Sequence, residues 1–338
     1  MTIAAAIFGA SGYAGAELLR LLGGHPSIKP CALFAHSRAG VALAEDSPQF
    51  DGADNGAALE SFEGDLKGAE LVFLALPHGE SQKIAPELAQ KGVKIVDLGA
   101  DFRFSDAGTY ENWYGKPHDA PAFLSRFVYG LPEKNAEIIA KSDLVAAPGC
   151  YPTAAILSLM PLVQAGLVDA NRIVVNAASG VSGAGRAANA ANMFCEIDGS
   201  MRAYGLVNHR HTGEIEALLD AQVLFTPSLA PMSRGILSVA TAPATSKAAA
   251  TDALECLEAA YAGAPFVTVS ERSPATKWTL GTNRAHLTAR YDARTGSILA
   301  IAALDNLVKG AAGQAIQCAN LMFGLDETAG LEMTGVTP

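Results

Sequence analysis

The first 150 residues alternate short apolar runs with stretches in which apolar residues recur at helical spacing. The runs predict buried strands, and the periodic stretches between them predict helices. Such alternation is typical of a doubly wound, Rossmann-type parallel sheet, in which ligands bind outside the carboxyl ends of the strands. The predicted strands cover residues 3–8, 29–35, 71–76, 93–98 and 144–147, and the predicted helices cover 16–22, 82–91 and a stretch from 153 onward.

After residue 150 the pattern changes to short, β-rich runs with two helical stretches among them, which is typical of an α+β domain with a mixed or antiparallel sheet. The runs are 173–177, 223–225, 237–241, 266–269, 286–291 and 298–303, and the helical stretches are 214–221 and 247–261. Residues 104–140 are irregular and predict loops and short helices. The closing segment 305–323 has small and apolar residues at helical spacing, and we expect it to pack back against the first domain.

We therefore predict an α/β protein of two domains. Residues 1–147 together with 305–338 form a dinucleotide-binding domain, and residues 148–304 form a catalytic, substrate-binding domain that also carries an oligomer interface. A chain of 338 residues is long enough for two such domains, each with a full core.

Composition and charge exclude several classes of function. The net charge is −10 and no basic run is present, which excludes a nucleic-acid-binding surface. No apolar run approaches the ~18 residues that span a membrane. The chain enters a strand-like segment directly after Met1, without the pattern of a signal peptide. Five scattered cysteines indicate reduced thiols and a cytoplasmic setting. Four of them lie in apolar or helical runs, which predicts burial: Cys31, Cys195, Cys256 and Cys318.

Gly9, Gly12 and Gly15 lie between the first predicted strand and its helix. Glycines at this place allow a tight turn, access of the backbone to a pyrophosphate and close packing of helix on strand, so the turn predicts dinucleotide binding. A purely structural glycine turn is the alternative.

The second strand leads into Ser37 and Arg38. An acidic residue here would hold the ribose 2′-hydroxyl of NAD, whereas a hydroxyl and a guanidinium suit a 2′-phosphate and favour NADP(H). A solvated loop arginine is the alternative. The third strand leads into Pro77 and Gly79, which we assign to the same cofactor crevice because they also follow a strand end.

Cys150 follows Pro148-Gly149 at a predicted turn from strand to helix. A turn presents a side chain to a cleft, and the unpaired N–H groups of a helix N-terminus favour a thiolate, so Cys150 is the predicted nucleophile. An inert buried thiol is the alternative.

A glycine-rich loop at 179–186 contains Ser182, Gly183 and Arg186. Its backbone N–H groups suit an anion or a nicotinamide carboxamide, and Arg186 suits a phosphate or carboxylate. A flexible surface loop is the alternative.

His209, Arg210 and His211 precede a helix that Thr212 is expected to cap. Metal binding, surface exposure and acid/base catalysis are the three interpretations of the histidines, and the absence of further ligands at suitable spacing disfavours a metal. In an extended segment the two histidines would point to opposite sides, so one of them would face Cys150, with Arg210 holding an anionic substrate. A nucleophilic cysteine, an acid/base histidine and an NADP site together describe reduction of an activated acyl group through a thioester.

These stretches together resemble the N-acetyl-gamma-glutamyl-phosphate reductase family of arginine biosynthesis, which is related to aspartate-semialdehyde dehydrogenase. The resemblance covers nearly the whole chain, and it implies that the family's nucleophile falls on Cys150. One departure is Gly213, where the family usually has proline. The stretches that carry the resemblance are 9–15, 96–103, 129–133, 147–153, 179–186, 209–215, 231–235 and 305–314.

The resemblance implies NADPH-dependent reduction of N-acetyl-glutamyl 5-phosphate to the semialdehyde, with release of phosphate, by a cytoplasmic homo-oligomer (a dimer or tetramer). On the same stretches we assign Ser11, Tyr13 and Asn306 to the cofactor, and Arg103 and Arg234, with Arg186 and Arg210, to the acyl phosphate. The alternatives are a reductase of another acyl phosphate, such as aspartyl phosphate, a non-catalytic NADP-binding sensor, and a Cys-His hydrolase that keeps the glycine turn.

Overall fold

The computed structural model describes residues 2–53, 56–249 and 252–336. Two predictions reach beyond these ranges. The helix expected at 247–261 includes Ala250 and Thr251, and the predicted domain ranges include positions 1, 54, 55, 337 and 338, all of which lie outside the described residues.

Strands follow the apolar runs, and most of them begin or end within two residues of the expected positions. They are β1 (Ile3–Phe8), β2 (Ile28–Phe34), β3 (Leu71–Leu74), β4 (Lys94–Asp97), β5 (Val128–Tyr129), β6 (Leu144–Ala146), β7 (Ile173–Ser179), β8 (Arg202–Ala203), β9 (Val223–Leu229), β10 (Ile236–Pro243), β11 (Val267–Val269), β12 (Ala285–Asp292) and β13 (Ser297–Leu304).

Helices lie between the strands of the first sheet and among those of the second. They are α1 (Tyr13–Gly23), α2 (Leu43–Asp46), α3 (Ser81–Gln90), α4 (Ala107–Tyr114), α5 (Pro121–Leu124), α6 (Pro132–Ile139), α7 (Cys150–Gln164), α8 (Phe194–Ile197), α9 (His211–Leu219), α10 (Ala253–Ala260) and α11 (Gly313–Met322).

The chain divides into two compact units. The first holds the residues up to Tyr110, then Lys116–Pro148 and Ala311–Leu331; the second holds Glu111–Gly115, Gly149–Gly310 and the residues from Glu332 on. The last turn of α4 thus groups with the second unit.

The first unit is built on a parallel sheet of six strands in the order β2-β1-β3-β4-β6-β5. Apolar side chains of its strands, among them Phe8, Val72, Leu74 and Ile95, join one buried cluster. The strand order reverses between β1 and β3, which is the place where such sheets bind ligands. The closing helix α11 packs against α6 and β4 of the same unit.

The second unit has a mixed sheet of seven strands in the order β11-β12-β13-β10-β7-β9-β8. Helix α7 packs on this sheet, and its residues from Tyr151 to Leu162 are all buried. The two sheets confirm the predicted fold class. Among the described residues, no helix is long and apolar enough to cross a membrane.

Candidate active site

Cys150 is the first residue of α7, and Gly149 is its N-cap residue. The helix begins three residues before the expected position, so the thiol lies in its first turn. Thr153 closes this turn by donating both its backbone N–H and its hydroxyl to the Gly149 carbonyl, each at 2.9 Å. Cys150 therefore lies where the unpaired N–H groups of a helix favour negative charge.

Glu214 fixes the same turn from α9, because its Oε1 accepts the backbone N–H of Gly149 at 2.8 Å. The Glu214 carboxylate is buried. Glu214 is not among the site residues predicted from the sequence. Its position, in the first turn of a helix and close to two histidines in the sequence, could have indicated that it belongs to the site.

Gly310 packs directly against Cys150. A Cβ at Gly310 would lie 2.7 Å from the Cys150 Cβ and 3.2 Å from its Cα, so only glycine fits here. Gly310 belongs to a π-helical turn, Val308–Ala312, and such turns occur frequently at functional sites. No spacing of residues along the chain signals this contact.

His209 and His211 lie together beside Tyr151, the residue that follows Cys150. Their ring centroids are 4.8 Å apart, and each lies 5.9 Å from the ring of Tyr151. The expectation that they point to opposite sides is wrong, because the chain is already helical at Arg210 and α9 begins at His211. Thr212 is likewise not the helix cap; it lies inside the first turn, and Arg210 occupies the N-cap position.

His209 is held in its neutral form. Its Nδ1 accepts the backbone N–H of His211 at 3.2 Å, so in the neutral ring the proton lies on Nε2. Burial, and then the charge of Arg210, lower the pKa of His209 to about 4. Rings of Tyr204 and Phe225 enclose it further, each with its centroid 5.4 Å away.

Tyr204 and Tyr151 form a chain of hydroxyl groups beside Cys150. The Tyr204 hydroxyl is 3.3 Å from that of Tyr151, which donates to the Ser228 carbonyl at 3.0 Å. Burial raises the pKa of Tyr151, and burial raises the pKa of Tyr204 to about 12. Both tyrosines therefore stay protonated at neutral pH and serve as hydrogen-bond donors.

The glycine-rich loop of the second unit lies against Asn306. Asn306 Nδ2 donates to the Ser182 hydroxyl at 2.9 Å, and a Cβ at Gly183 would lie 3.8 Å from the same nitrogen. Arg234 lies in the connection between β9 and β10, 3.6 Å from the buried Asp305. Arg186 is exposed on the glycine-rich loop.

The glycine turn of the first unit shows why two of its positions lack a side chain. A Cβ at Gly9, where φ is +79°, would lie 2.2 Å from the Ala75 carbonyl oxygen. A Cβ at Gly15 would lie 2.3 Å from the Gly9 carbonyl oxygen, so the helix packs directly on the turn. Gly12 is the N-cap residue of α1, and the flanking residues Ser11 and Tyr13 belong to the same turn.

Arg38, with Ser37 before it, lies in the loop after β2, where a 2′-phosphate group is expected. Its Nε donates to Asp46 Oδ1 at 2.7 Å. The Asp46 carboxylate is buried, whereas Arg38 is half exposed, so the buried acid fixes the guanidinium at the surface. This ion pair was not predicted from the sequence.

Pro77 and Gly79 lie in the loop after β3, which Asp101 fixes. The Asp101 carboxylate accepts the N–H groups of Gly79, at 2.8 Å, and Gln82, and lies 2.7 Å from His78 Nδ1. Nearby, burial raises the pKa of Asp97 to about 7.

Arg103 lies in the first unit and contacts backbone carbonyls there. Its Nε donates to the Ala147 oxygen and its Nη2 to the Leu98 oxygen, both at 3.0 Å. The structure therefore places the four predicted substrate arginines in four different settings, of which only that of Arg210 adjoins the histidines. Within the described ranges, no group of three His, Cys, Asp or Glu side chains gathers as a metal site would require.

Two sequence families match the chain in succession. Residues 4–142 match the family described as "Semialdehyde dehydrogenase, NAD binding domain", and residues 150–306 match "Semialdehyde dehydrogenase, dimerisation domain". Solved structures agree in fold: aspartate semialdehyde dehydrogenase II of Vibrio cholerae, complexed with ASA, has a TM-score of 0.72 at 20% identity over 96% of this chain and 99% of that one. The aspartate semialdehyde dehydrogenase of Candida albicans, solved with NADP, has a TM-score of 0.72 at 14% identity and the same coverage.

Curated relatives are much more similar in sequence. The N-acetyl-gamma-glutamyl-phosphate reductase of Moorella thermoacetica is 45% identical over 99% of this chain and 100% of its own length, and that of Desulforudis audaxviator is 46% identical over 98% and 99%. These matches confirm the predicted class of a nicotinamide-dependent oxidoreductase. The chain belongs to the N-acetyl-gamma-glutamyl-phosphate reductase family.

Proposed function

We propose that this chain catalyses the NADPH-dependent reduction of N-acetyl-L-glutamyl 5-phosphate to N-acetyl-L-glutamate 5-semialdehyde and phosphate, a step of arginine biosynthesis. The relatives that match over the whole chain carry the name of this activity. The observation that carries the chemistry is the position of Cys150 at the N-terminus of α7, with two histidines around the neighbouring Tyr151.

The first unit has the features that a dinucleotide requires. Gly9 and Gly15 form a turn in which a Cβ would collide with backbone oxygens. Gly12, the N-cap residue, leaves the N-terminus of α1 open to a phosphate. Ser11, Tyr13, Ser37, Arg38, Pro77 and Gly79 complete the proposed cofactor site there, and Ser182, Gly183 and Asn306 are its proposed contacts in the second unit. When bound, NADPH supplies the hydride.

The residues of the second unit supply the covalent chemistry. The Cys150 thiolate attacks the acyl carbon of the substrate, the bond from this carbon to the phosphate oxygen breaks, and phosphate leaves with the electron pair. Nε2–H of neutral His209 can donate a hydrogen bond to the bound substrate. After reduction of the thioester, the oxygen of the thiohemiacetal carries negative charge. A histidine protonates this oxygen and takes the same proton back as the carbon–sulfur bond breaks, which releases the aldehyde and restores the thiolate.

Arginine side chains are the proposed anchors of the substrate's anionic groups. Arg210 is the first choice because it immediately adjoins both histidines, and Arg103, Arg186 and Arg234 are the other proposed contacts. Planar guanidinium groups bind carboxylates and phosphates through two parallel hydrogen bonds.

The reverse reaction tests the proposed function. With N-acetyl-glutamate semialdehyde, phosphate and NADP⁺, we expect formation of NADPH that depends on all three components and exceeds the rate with aspartate semialdehyde by at least about 10²-fold in kcat/KM. A preference for aspartate semialdehyde would assign the chain to the sister reaction. Release of phosphate from N-acetyl-glutamyl 5-phosphate without NADPH would indicate a hydrolase, and no turnover with either substrate would indicate a sensor.

Arg38 is proposed to select NADP over NAD. We expect Arg38→Ala to raise the KM for NADP about 10–100-fold (roughly 1.5–3 kcal/mol for a charge-assisted contact), with little effect on NAD. Steady-state kinetics with both cofactors measure this. Asp46→Asn is the matched control, because it removes the ion pair and keeps the guanidinium. Equal losses for NADP and NAD in Arg38→Ala would mean that the substitution disturbs the fold and that Arg38 does not contact the phosphate.

A cytoplasmic homo-oligomer, dimer or tetramer, completes the proposal. The part of the chain that matches the dimerisation domain, residues 150–306, includes a segment with five large apolar side chains that are between 57% and 79% exposed. Apolar surface of this kind is typical of an interface between protein chains. These residues are Met193, Phe194, Met201, Leu206 and Val207. The five cysteines, all thiols, support a reducing compartment.

A further inference from the structure

Trp113 occupies the space beside the first turn of α9. A Cβ added at Gly213, the third residue of this helix, would lie 2.1 Å from Trp113 Nε1 and 2.4 Å from its Cδ1. Real Cβ atoms do not approach other heavy atoms so closely, so any larger residue at 213 must displace the indole ring. The departure from the family's usual proline at this position therefore coincides with a specific contact.

The choice of glycine at 213 is costly for the helix itself. Glycine in a helix is less stable than alanine, because it loses more backbone freedom on folding. By contrast, Gly23, at the last position of α1, has no other group within 4 Å of an added Cβ. Gly213 is thus explained by its neighbour and not by helix formation.

Tyr114, the next residue, makes a second and independent contact with the same segment. The guanidinium of Arg210 lies over the Tyr114 ring, 5.4 Å from its centroid. Such a cation–π contact restricts a side chain that would otherwise be free to move in solvent. Two adjacent residues of α4 therefore contact the N-cap residue and the third residue of α9, with His211 between them.

We propose that Trp113 and Tyr114 are positioning residues of the proposed reaction, which set the start of α9 and with it the placement of His211 and Arg210. Neither side chain has a role in the covalent steps. Trp113 sets the helix through Gly213, and Tyr114 orients the Arg210 guanidinium toward an anionic group of the substrate. The inference rests on the proposed function of this site.

A double-mutant cycle between Trp113 and Gly213 tests the first contact. We expect Trp113→Leu and Gly213→Ala each to lower kcat about 10–100-fold and to shift its pH profile, because both move His211. The double variant should be no worse than either single variant, since the methyl group then fills space that the indole has left. The KM for NADP should stay within about twofold of wild type in all three.

Tyr114→Leu tests the second contact. We expect it to raise the KM for the semialdehyde about fivefold or more and to leave kcat within about twofold, because it frees Arg210 without moving the helix. Matched controls are Trp278→Leu, which removes the other tryptophan, and Gly23→Ala, which adds a methyl group to open space. Both controls should keep wild-type kinetics.

Two results would overturn the inference. Additive losses in the Trp113–Gly213 cycle would show that the contact does not set the helix, and thermal destabilisation with unchanged kcat, KM and pH profile would show a purely structural role. If wild type itself has no turnover, the proposed function fails separately. The inference is then decided by the pH profile of Cys150 alkylation. If Trp113→Leu, Gly213→Ala and the double variant all shift this profile by the same amount relative to wild type, the inference is supported. If none of them shifts it, the inference is rejected.

Discussion

Cys150→Ser should abolish turnover while the protein still folds and binds NADPH. We expect kcat to fall by roughly 10⁴–10⁶-fold, the loss seen when a covalent nucleophile is removed from an enzyme. The physical reason is that a serine hydroxyl is not ionised near neutral pH, and the N-terminus of α7 does not stabilise negative charge enough to ionise it. Circular dichroism and NADPH fluorescence would verify fold and cofactor binding, and the semialdehyde assay would measure turnover.

Selective alkylation provides the complementary measurement for Cys150. The expectation that the other four thiols are buried is wrong for Cys31 and Cys195, which are exposed; Cys256 is partly buried and only Cys318 is fully buried. Labelling should therefore use a Cys31→Ser/Cys195→Ser background, in which iodoacetamide should modify Cys150 in step with loss of activity. Inactivation that follows labelling of Cys256 or Cys318 would refute Cys150 as the nucleophile.

The parallel sheet of the first unit was predictable because its strands are buried on both faces. Short, continuous apolar runs such as those in β1 and β3 are typical of strands that a parallel sheet buries between two layers of helices. The two-residue strands β5 and β8 were not predictable, since they are too short to produce a periodic pattern. Their pairing depends on neighbours that are distant in sequence.

The site shows a similar division between local and tertiary information. Cys150 at a helix start could be predicted, because the Pro-Gly turn and the helical spacing after it are local signals. The contacts of Gly310 with Cys150 and of Glu214 with Gly149 could not, because residues more than 60 positions apart are brought together only by the fold. The prediction that Thr212 caps α9 is wrong because the helix has already begun at His211, although a threonine before a helical run is a common cap.

His211→Asn should lower kcat by roughly 10²–10⁴-fold and change its pH profile, whereas His209→Asn should mainly raise KM and lower stability. The protonation state of His209 supports this assignment. Its Nδ1 already accepts a backbone N–H, and its pKa of about 4 leaves almost no imidazolium at neutral pH, so His209 is a poor proton donor. His211, on the first position of α9 and beside Tyr151, is the remaining histidine of the pair.

The pH dependence of stability provides an independent check on His209. Its folded pKa of about 4 lies below the ordinary value of 6.5, so the unfolded chain binds more protons between these two pH values. The contribution of neutral His209 to the free energy of unfolding is complete above about pH 6.5 and is lost as the pH falls toward 4. In His209→Asn this loss should disappear, so the thermal midpoints of variant and wild type should converge on acidification. His25, His118 and His286, whose pKa values are also lowered by burial, cancel in this comparison because both proteins contain them.

Kinetics and stability together decide between the two histidines. If His209→Asn loses kcat as described for His211 and His211→Asn retains it, the roles of the two histidines are exchanged. If both variants keep wild-type kcat and pH dependence, neither histidine transfers the proton, and it must travel through water or another side chain. Because Tyr151 and Tyr204 stay protonated at neutral pH, neither tyrosine could act as the base in that case.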